Sequence, residues 1–152
     1  MKKLVLALAL ACTNASAATV IGVSDGDTLT VLNKGRPLKV RLANIDAPEK
    51  AQPYGARSKQ ALSELCFGRN ATLDGAKKDR YGRTVAVVHC DAINANVAQV
   101  RNGMAWVYTQ YNHDAALPAI EAMARFARVG LWSERRPQEP WLFRKERKSR
   151  NS

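Results

Sequence analysis

The sequence predicts a mainly β protein with helices, an α+β domain built as a small five-stranded barrel with three helices. Three observations carry that expectation. Short runs alternate apolar and polar residues, the period of half-buried strands. The early runs are joined directly by Asp/Gly- and Lys/Gly-containing turns, which makes them antiparallel neighbours. The first helical segment comes only after the third run, so a repeating βαβ pattern is not indicated.

The strands are predicted in order. TVIGV (19–23) and TLTVLN (28–33) flank the turn SDGD. PLKVRLANI (37–45) follows the turn NKGRP, with Leu38, Val40 and Leu42 alternating with Lys39 and Arg41. ATLDG (70–74) and TVAVVHC (84–90) flank a basic loop. The first helix is expected over 56–66, with Ala61, Leu62 and Leu65 on one face and Gly68 just beyond it. The second spans 94–101, carries Val97 and Val100, and stops at Gly103. The third spans 117–129, with Ile120, Met123, Phe126 and Ala127 expected inward and Gly130 as its stop.

The chain has 152 residues and a formal charge of +11. Lys2 and Lys3 precede the apolar run Leu4–Ala11, and Ala15-Ser16-Ala17 follows. That order is a secretory signal peptide over residues 1–17, so the product is expected to be exported, periplasmic or secreted. The competing reading lipidates Cys12. The apolar run is shorter than the roughly 20 residues a spanning helix needs, so no stable membrane insertion is expected. Cleavage would remove two lysines and leave +9 on one compact domain, residues 18–134, with a basic tail, 135–152. In the tail, Trp141 and Phe143 are expected to pack back and the rest to be loose. A charge this positive, gathered in short clusters, points to a polyanionic partner. With Cys12 gone, Cys66 and Cys90 remain; in an exported chain such a pair favours a disulfide over two buried thiols. No Cys/His spacing suits zinc.

Three clusters could carry chemistry. Asp25-Gly26-Asp27-Thr28 reads as a hairpin turn, but that explains Asp27 poorly, because it opens a strand. An EF-hand is excluded, since the remaining acidic positions and the closing Glu are missing. In the second cluster, RLANIDAPE, Asp46 and Glu49 could cap a helix with Pro48 in its first turn. That does not explain why they follow Arg41 in so basic a chain. Asp79-Arg80-Tyr81-Gly82-Arg83, after Lys77 and Lys78, could be a charged hairpin end. Together the clusters say more. Asp27, Asp46 and Glu49 supply oxygen donors for a hard divalent cation. Arg41 and Arg83 supply guanidiniums for a phosphoryl transition state, whose charge builds on its equatorial oxygens. His89 lies in an apolar strand and reads as packed rather than catalytic.

DGDT, RLANIDAPE and DRYGR, in this order and at about this spacing, resemble the thermonuclease family, the staphylococcal-nuclease-like enzymes. The resemblance runs from about Val20 to Trp132 and takes in PYG, RNGMAW and GLW beside the three helices. It implies an OB-type five-stranded barrel with three helices. It also implies a calcium-dependent endonuclease acting on DNA and RNA with little sequence preference and leaving 3′-phosphates. Carried onto this chain, it makes Asp27 and Asp46 carboxylate ligands of Ca²⁺, with the Ala47 carbonyl beside them. Glu49 would position or deprotonate the attacking water, and Arg41 and Arg83 would grip the scissile phosphate. Arg80 and Tyr81 would contact phosphate or nucleotide. In WVYTQYN, Tyr111 is in register for substrate contact and Tyr108 falls toward the core. A monomer is expected.

Two rival readings remain at this level. A non-catalytic OB-type module would use the basic surface and aromatics on single strands. Its three acids would repel phosphate unless a cation sat among them. A metal-free ribonuclease would use His89 and His113 as base and acid.

Overall fold

The computed structural model describes residues 18–151, so the signal-peptide reading and Cys12 lie outside the described residues. The elements in chain order are β1 (Ala18–Asp25), β2 (Thr28–Asn33), β3 (Arg36–Leu42), β4 (Ile45–Asp46), α1 (Gly55–Cys66), β5 (Asn70–Lys78) and β6 (Thr84–Cys90). They continue as β7 (Ile93–Asn94), α2 (Ala95–Arg101), β8 (Trp106–Val107), α3 (Leu117–Phe126), a 3₁₀ turn (Gly130–Ser133) and α4 (Pro140–Arg150).

Five strands close into a barrel. The order β3-β2-β1-β5-β6 is antiparallel throughout, and a parallel β3–β6 pairing shuts it, with Arg41 opposite Val85 and Leu42 opposite Ala86. Closure removes the exposed edges that an open sheet would carry. Alternation sets what fills it: Val20, Leu29, Val31, Val40, Leu42 and Val88 are buried inside. Burying such a side chain contributes about 1.5–3 kcal/mol each.

The expected five strands are present, the first running Ala18–Asp25 rather than 19–23, with two further corrections of extent. The third stops at Leu42 rather than Ile45, because Asn44 takes a left-handed conformation (φ 67°), which Asn tolerates better than most residues. The chain turns there and restarts as β4, which pairs with β8. The fourth strand runs on to Lys78, so β5 and β6 form an arm whose bulge lies between Asp74 and Lys77.

The helices carry a second correction. α3 ends at Phe126, and its buried side chains are Leu117 and Ala124, with Ile120 half-buried between them. Met123, Phe126 and Ala127, expected inward, are exposed. The small Ala124 fits under Trp106 and Trp132, and this rotates the larger neighbours outward. A fourth helix, α4, occupies the segment expected to be loose, although Trp141 does pack back as expected. Pro140 at its first turn and Arg147, Lys148 and Arg150 in its last suit a helix at both ends. Cys66 and Cys90 lie at disulfide distance, their Cα atoms 5.2 Å apart, joining the end of α1 to the end of β6. Among the described residues no helix is long and apolar enough to cross a membrane.

Candidate active site

The β1–β2 turn, β4 and the loop leading to α1 meet on one side of the barrel. Asp27 is buried there, its Oδ2 accepting the Ala47 amide at 2.8 Å and its Oδ1 accepting the Thr28 hydroxyl at 2.9 Å. These bonds fasten the first acidic cluster to the second across 20 residues of sequence. Gly26 is required for space rather than for turn angles. A Cβ there would collide with the Ser58 side chain and stand 2.8 Å from the Ala47 Cβ. The Gly26 carbonyl accepts from the buried Gln99 amide at 2.6 Å, which also donates to the Ser58 carbonyl at 3.1 Å. Gln99 on α2 therefore fixes both the turn and the helix beside it.

Arg41 leaves the outer face of β3 and bends toward the acids. Its Nη1 donates to the carbonyls of Leu42 (3.2 Å) and Ile45 (3.0 Å). Its Nη2 lies 2.9 Å from Asp46 Oδ1 and 3.4 Å from Asp27 Oδ2. The arginine-to-carboxylate juxtaposition seen in the sequence is thus a closed contact. The Asp46 side chain is only 1% exposed. Burial pushes its carboxyl above the ordinary range and the nearby Asp27 adds to this, while Arg144 and Arg41 oppose it. Asp25, partly buried beside Asp27, is pushed up to about 6 by burial first and by Asp27 second.

Glu49 is half-buried and held by its backbone, whose amide donates to Gln52 Oε1 at 2.8 Å. Its Oε1 and both Asp46 oxygens are engaged by Arg144 of α4: Nη1 to Glu49 at 2.9 Å, Nη1 to Asp46 Oδ1 at 3.2 Å, and Nη2 to Asp46 Oδ2 at 2.7 Å. Partial burial would lower the Arg144 pKa, but the hydrogen bonds it donates to Asp46 and Glu49 raise it instead. Sequence reasoning missed Arg144. The available signal was Pro140 followed by Trp141 and Arg144 three apart, which places both on one helical face.

Arg83 stands just before β6, two residues before Val85, which pairs with Arg41. Its Nε donates to Asp79 Oδ2 at 2.8 Å, and the Tyr81 and Arg83 amides both donate to Asp79 Oδ1 at 2.9 Å. Desolvation pushes the Asp79 carboxyl up, but the Arg83 side-chain and backbone hydrogen bonds outweigh it and hold the group below its ordinary value. Arg80 and Tyr81 are exposed at the tip of this arm, with the Arg80 guanidinium 4.9 Å from the Tyr81 ring centre. Tyr111 is exposed and packs edge-on against Tyr108, centroids 4.8 Å apart, on the α4 side of the site. Of the two histidines, His89 is half-buried with Nδ1 3.2 Å from Asp74, and the His113 amide donates to Asn44.

The donor set can be tested against a hard divalent cation. Asp27 and Asp46 converge on a single cationic nitrogen of Arg41, so oxygens from both already face one positive charge, beside the Ala47 backbone. All-oxygen, doubly anionic surroundings of this kind fit calcium or magnesium chemistry. The convergence is pairwise, Asp27 with Asp46 on Arg41 and Asp46 with Glu49 on Arg144. Among the described residues no three side chains are gathered into one ready-made cage.

Comparison with known proteins identifies the family. The family described as "Staphylococcal nuclease homologue" matches residues 39–134. An uncharacterized endonuclease of Haemophilus influenzae is 47% identical over 130 residues, covering 85% of this chain and 73% of its own. An uncharacterized endonuclease of Escherichia coli is 44% identical, covering 82% of each chain. A micrococcal nuclease of Shigella flexneri is 40% identical, covering 86% of this chain and 81% of its own. With the closed five-stranded barrel and the buried acid–arginine cluster, these matches place the chain in the staphylococcal nuclease homologue family, as a phosphodiester-hydrolysing nuclease.

Proposed function

We propose that the protein is an exported, calcium-dependent endonuclease that cleaves DNA and RNA with little sequence preference and leaves 3′-phosphate ends. The observation that supports this reading is the contact of Arg41 with both Asp27 and Asp46, which sets a guanidinium, a group suited to phosphate, against two carboxylates, groups suited to a hard cation. Asp27, Asp46 and the Ala47 carbonyl would hold Ca²⁺. When bound, the ion would polarise the phosphate and offset the repulsion between substrate and acids.

The chain's own residues supply the remaining chemistry. Arg41 and Arg83 hold non-bridging phosphate oxygens through planar forks. Glu49 accepts a proton from a water whose oxygen bonds to phosphorus. The bond from phosphorus to the 5′ oxygen breaks, that oxygen leaves with the electron pair and takes a proton from solvent to become a 5′-hydroxyl, and the phosphate stays on the 3′ oxygen. Gln52 holds the Glu49 backbone. Arg80 and Tyr81 at the tip of the arm, and Tyr111 beside Tyr108, are exposed and offer contacts to phosphate and base. The Cys66–Cys90 proximity and the leader-like first 17 residues support an oxidising, exported setting.

The test is incubation of the protein with plasmid and with RNA, in calcium or in chelator, followed by end-group analysis of the products. Cleavage in calcium alone with 3′-phosphate ends is expected. Binding without cleavage would establish a non-catalytic module, and cleavage in chelator would favour the histidine route.

A further inference from the structure

From the seating of α4 we infer that Arg144 is an internal stand-in for the divalent cation, and that cation binding and α4 docking exclude one another. This rests on the proposed calcium reading of the Asp46 site. Four observations carry it. Arg144 forks both Asp46 oxygens and also takes Glu49, so one helical side chain covers two of the three acids. A guanidinium and a dication cannot both occupy the same face of Asp46, whose side chain is almost wholly buried and has few free directions. One turn earlier, Trp141 stacks flat on Tyr108, with centroids 5.2 Å apart and planes 3° apart, and meets Trp106 edge-on at 6.0 Å. The same helix thus fills the carboxylate site with a cation and covers Tyr108 with a flat ring. Finally, Gln52 joins the Glu49 amide to the Gln138 carbonyl (3.1 Å), so the strap leading into α4 is tied to the same loop.

The consequences are thermodynamic. A site whose competent form is only partly populated shows an affinity reduced by that fraction, and removing the competitor restores it. α4 carries five basic residues and one acid, so once released it would favour a polyanion over the protein surface. Docked, the helix would keep the site closed. Calcium would open it, and nucleic acid would hold the freed helix away.

Calorimetric titration of calcium into the protein and three variants tests this without using activity. Arg144→Ala should bind calcium about tenfold more tightly or better. Lys145→Ala, which removes the same charge from an exposed position on the same helix, should stay within about twofold. Trp141→Ala, which loosens α4 and leaves Arg144 in place, should also bind more tightly; it keeps the test open should Arg144→Ala fold poorly. Calcium should in addition speed tryptic cleavage of the wild-type chain after Lys145 and Arg147. Equal affinities for the Arg144 and Lys145 variants, in a protein that binds calcium and cuts plasmid, would overturn the inference and leave the nuclease reading intact. Calcium binding by none of the proteins would sink both. Calcium binding only by the Arg144 and Trp141 variants would support both.

Discussion

Arg83 donates its Nε to Asp79 Oδ2 at 2.8 Å, and the same aspartate takes the Tyr81 and Arg83 amides on its other oxygen. The carboxylate therefore organises the loop and aims the guanidinium together. Asp79→Asn keeps an acceptor for the amides but turns the Arg83 anchor into a donor. Turnover should fall about tenfold, as expected for a misaimed transition-state donor, while the thermal midpoint stays within a few degrees. Unchanged turnover would free Arg83 from dependence on Asp79. The pH sign follows from the lowered Asp79 pKa. The anchor is fully present above the ordinary value of 3.8 and is lost only as pH falls through the lower folded value. Activity loss between pH 7 and 5 should therefore be the same in wild type and variant; a divergence in that window would contradict the assignment.

Arg41 satisfies two carbonyls and two carboxylates at once. Lysine has no planar fork and cannot make these contacts together. Arg41→Lys should cost about 1–3 kcal/mol in chemical denaturation, because buried groups lose partners. It should also lower the cleavage rate about 10²-fold or more. A stable variant with full activity would remove Arg41 from phosphate binding.

The barrel was legible in the sequence because its interior is filled by period-two alternation, which Val40, Arg41 and Leu42 display and the structure realises. The contact of Arg41 with Asp27 and Asp46 was foreshadowed because these residues sit in short motifs. What escaped depended on contacts far along the chain. Leu42 ends its strand because Asn44 turns left-handed and hands β4 to β8, a pairing that no local pattern announces. Met123 and Phe126 match a helical stripe as well as Ala124 does, but the Trp106–Trp132 pair leaves room only for the small residue. α4 is too charged to read as a core helix. Its docking depends on Arg144 meeting acids 95 and 98 residues away.

Gly26 is packed against Ser58 and Ala47, and its neighbour Asp27 is fixed by the Ala47 amide. Gly26→Ala must push α1 or the Asp27 turn aside. The expected cost is about 1–3 kcal/mol of stability, typical of overpacking. On the proposed calcium reading, affinity for the ion should fall as well, since the Asp27 oxygens are displaced. Calorimetry on the variant checks both. Wild-type stability together with wild-type calcium affinity would show that the turn adapts without moving the carboxylate.

Cys66 closes α1 and Cys90 closes β6, and the pair spans 24 residues that include the whole β5 arm. A crosslink there would remove loop-closure freedom from the unfolded chain, worth about 3–4 kcal/mol in the chain-entropy model. Both cysteines are buried in the main core, so replacement must keep their volume small and apolar. The Cys66→Ala/Cys90→Ala double variant should lose stability of that order in urea, and the oxidised wild type should lose a similar amount in reductant. Because neither cysteine contacts Asp27, Arg41, Asp46 or Glu49 and Cys90 ends β6 at the opposite end from Arg83, specific activity at 25 °C should stay within about twofold while the denaturation midpoint drops. If reductant leaves the wild-type midpoint unchanged, the two thiols are separate and the crosslink is absent.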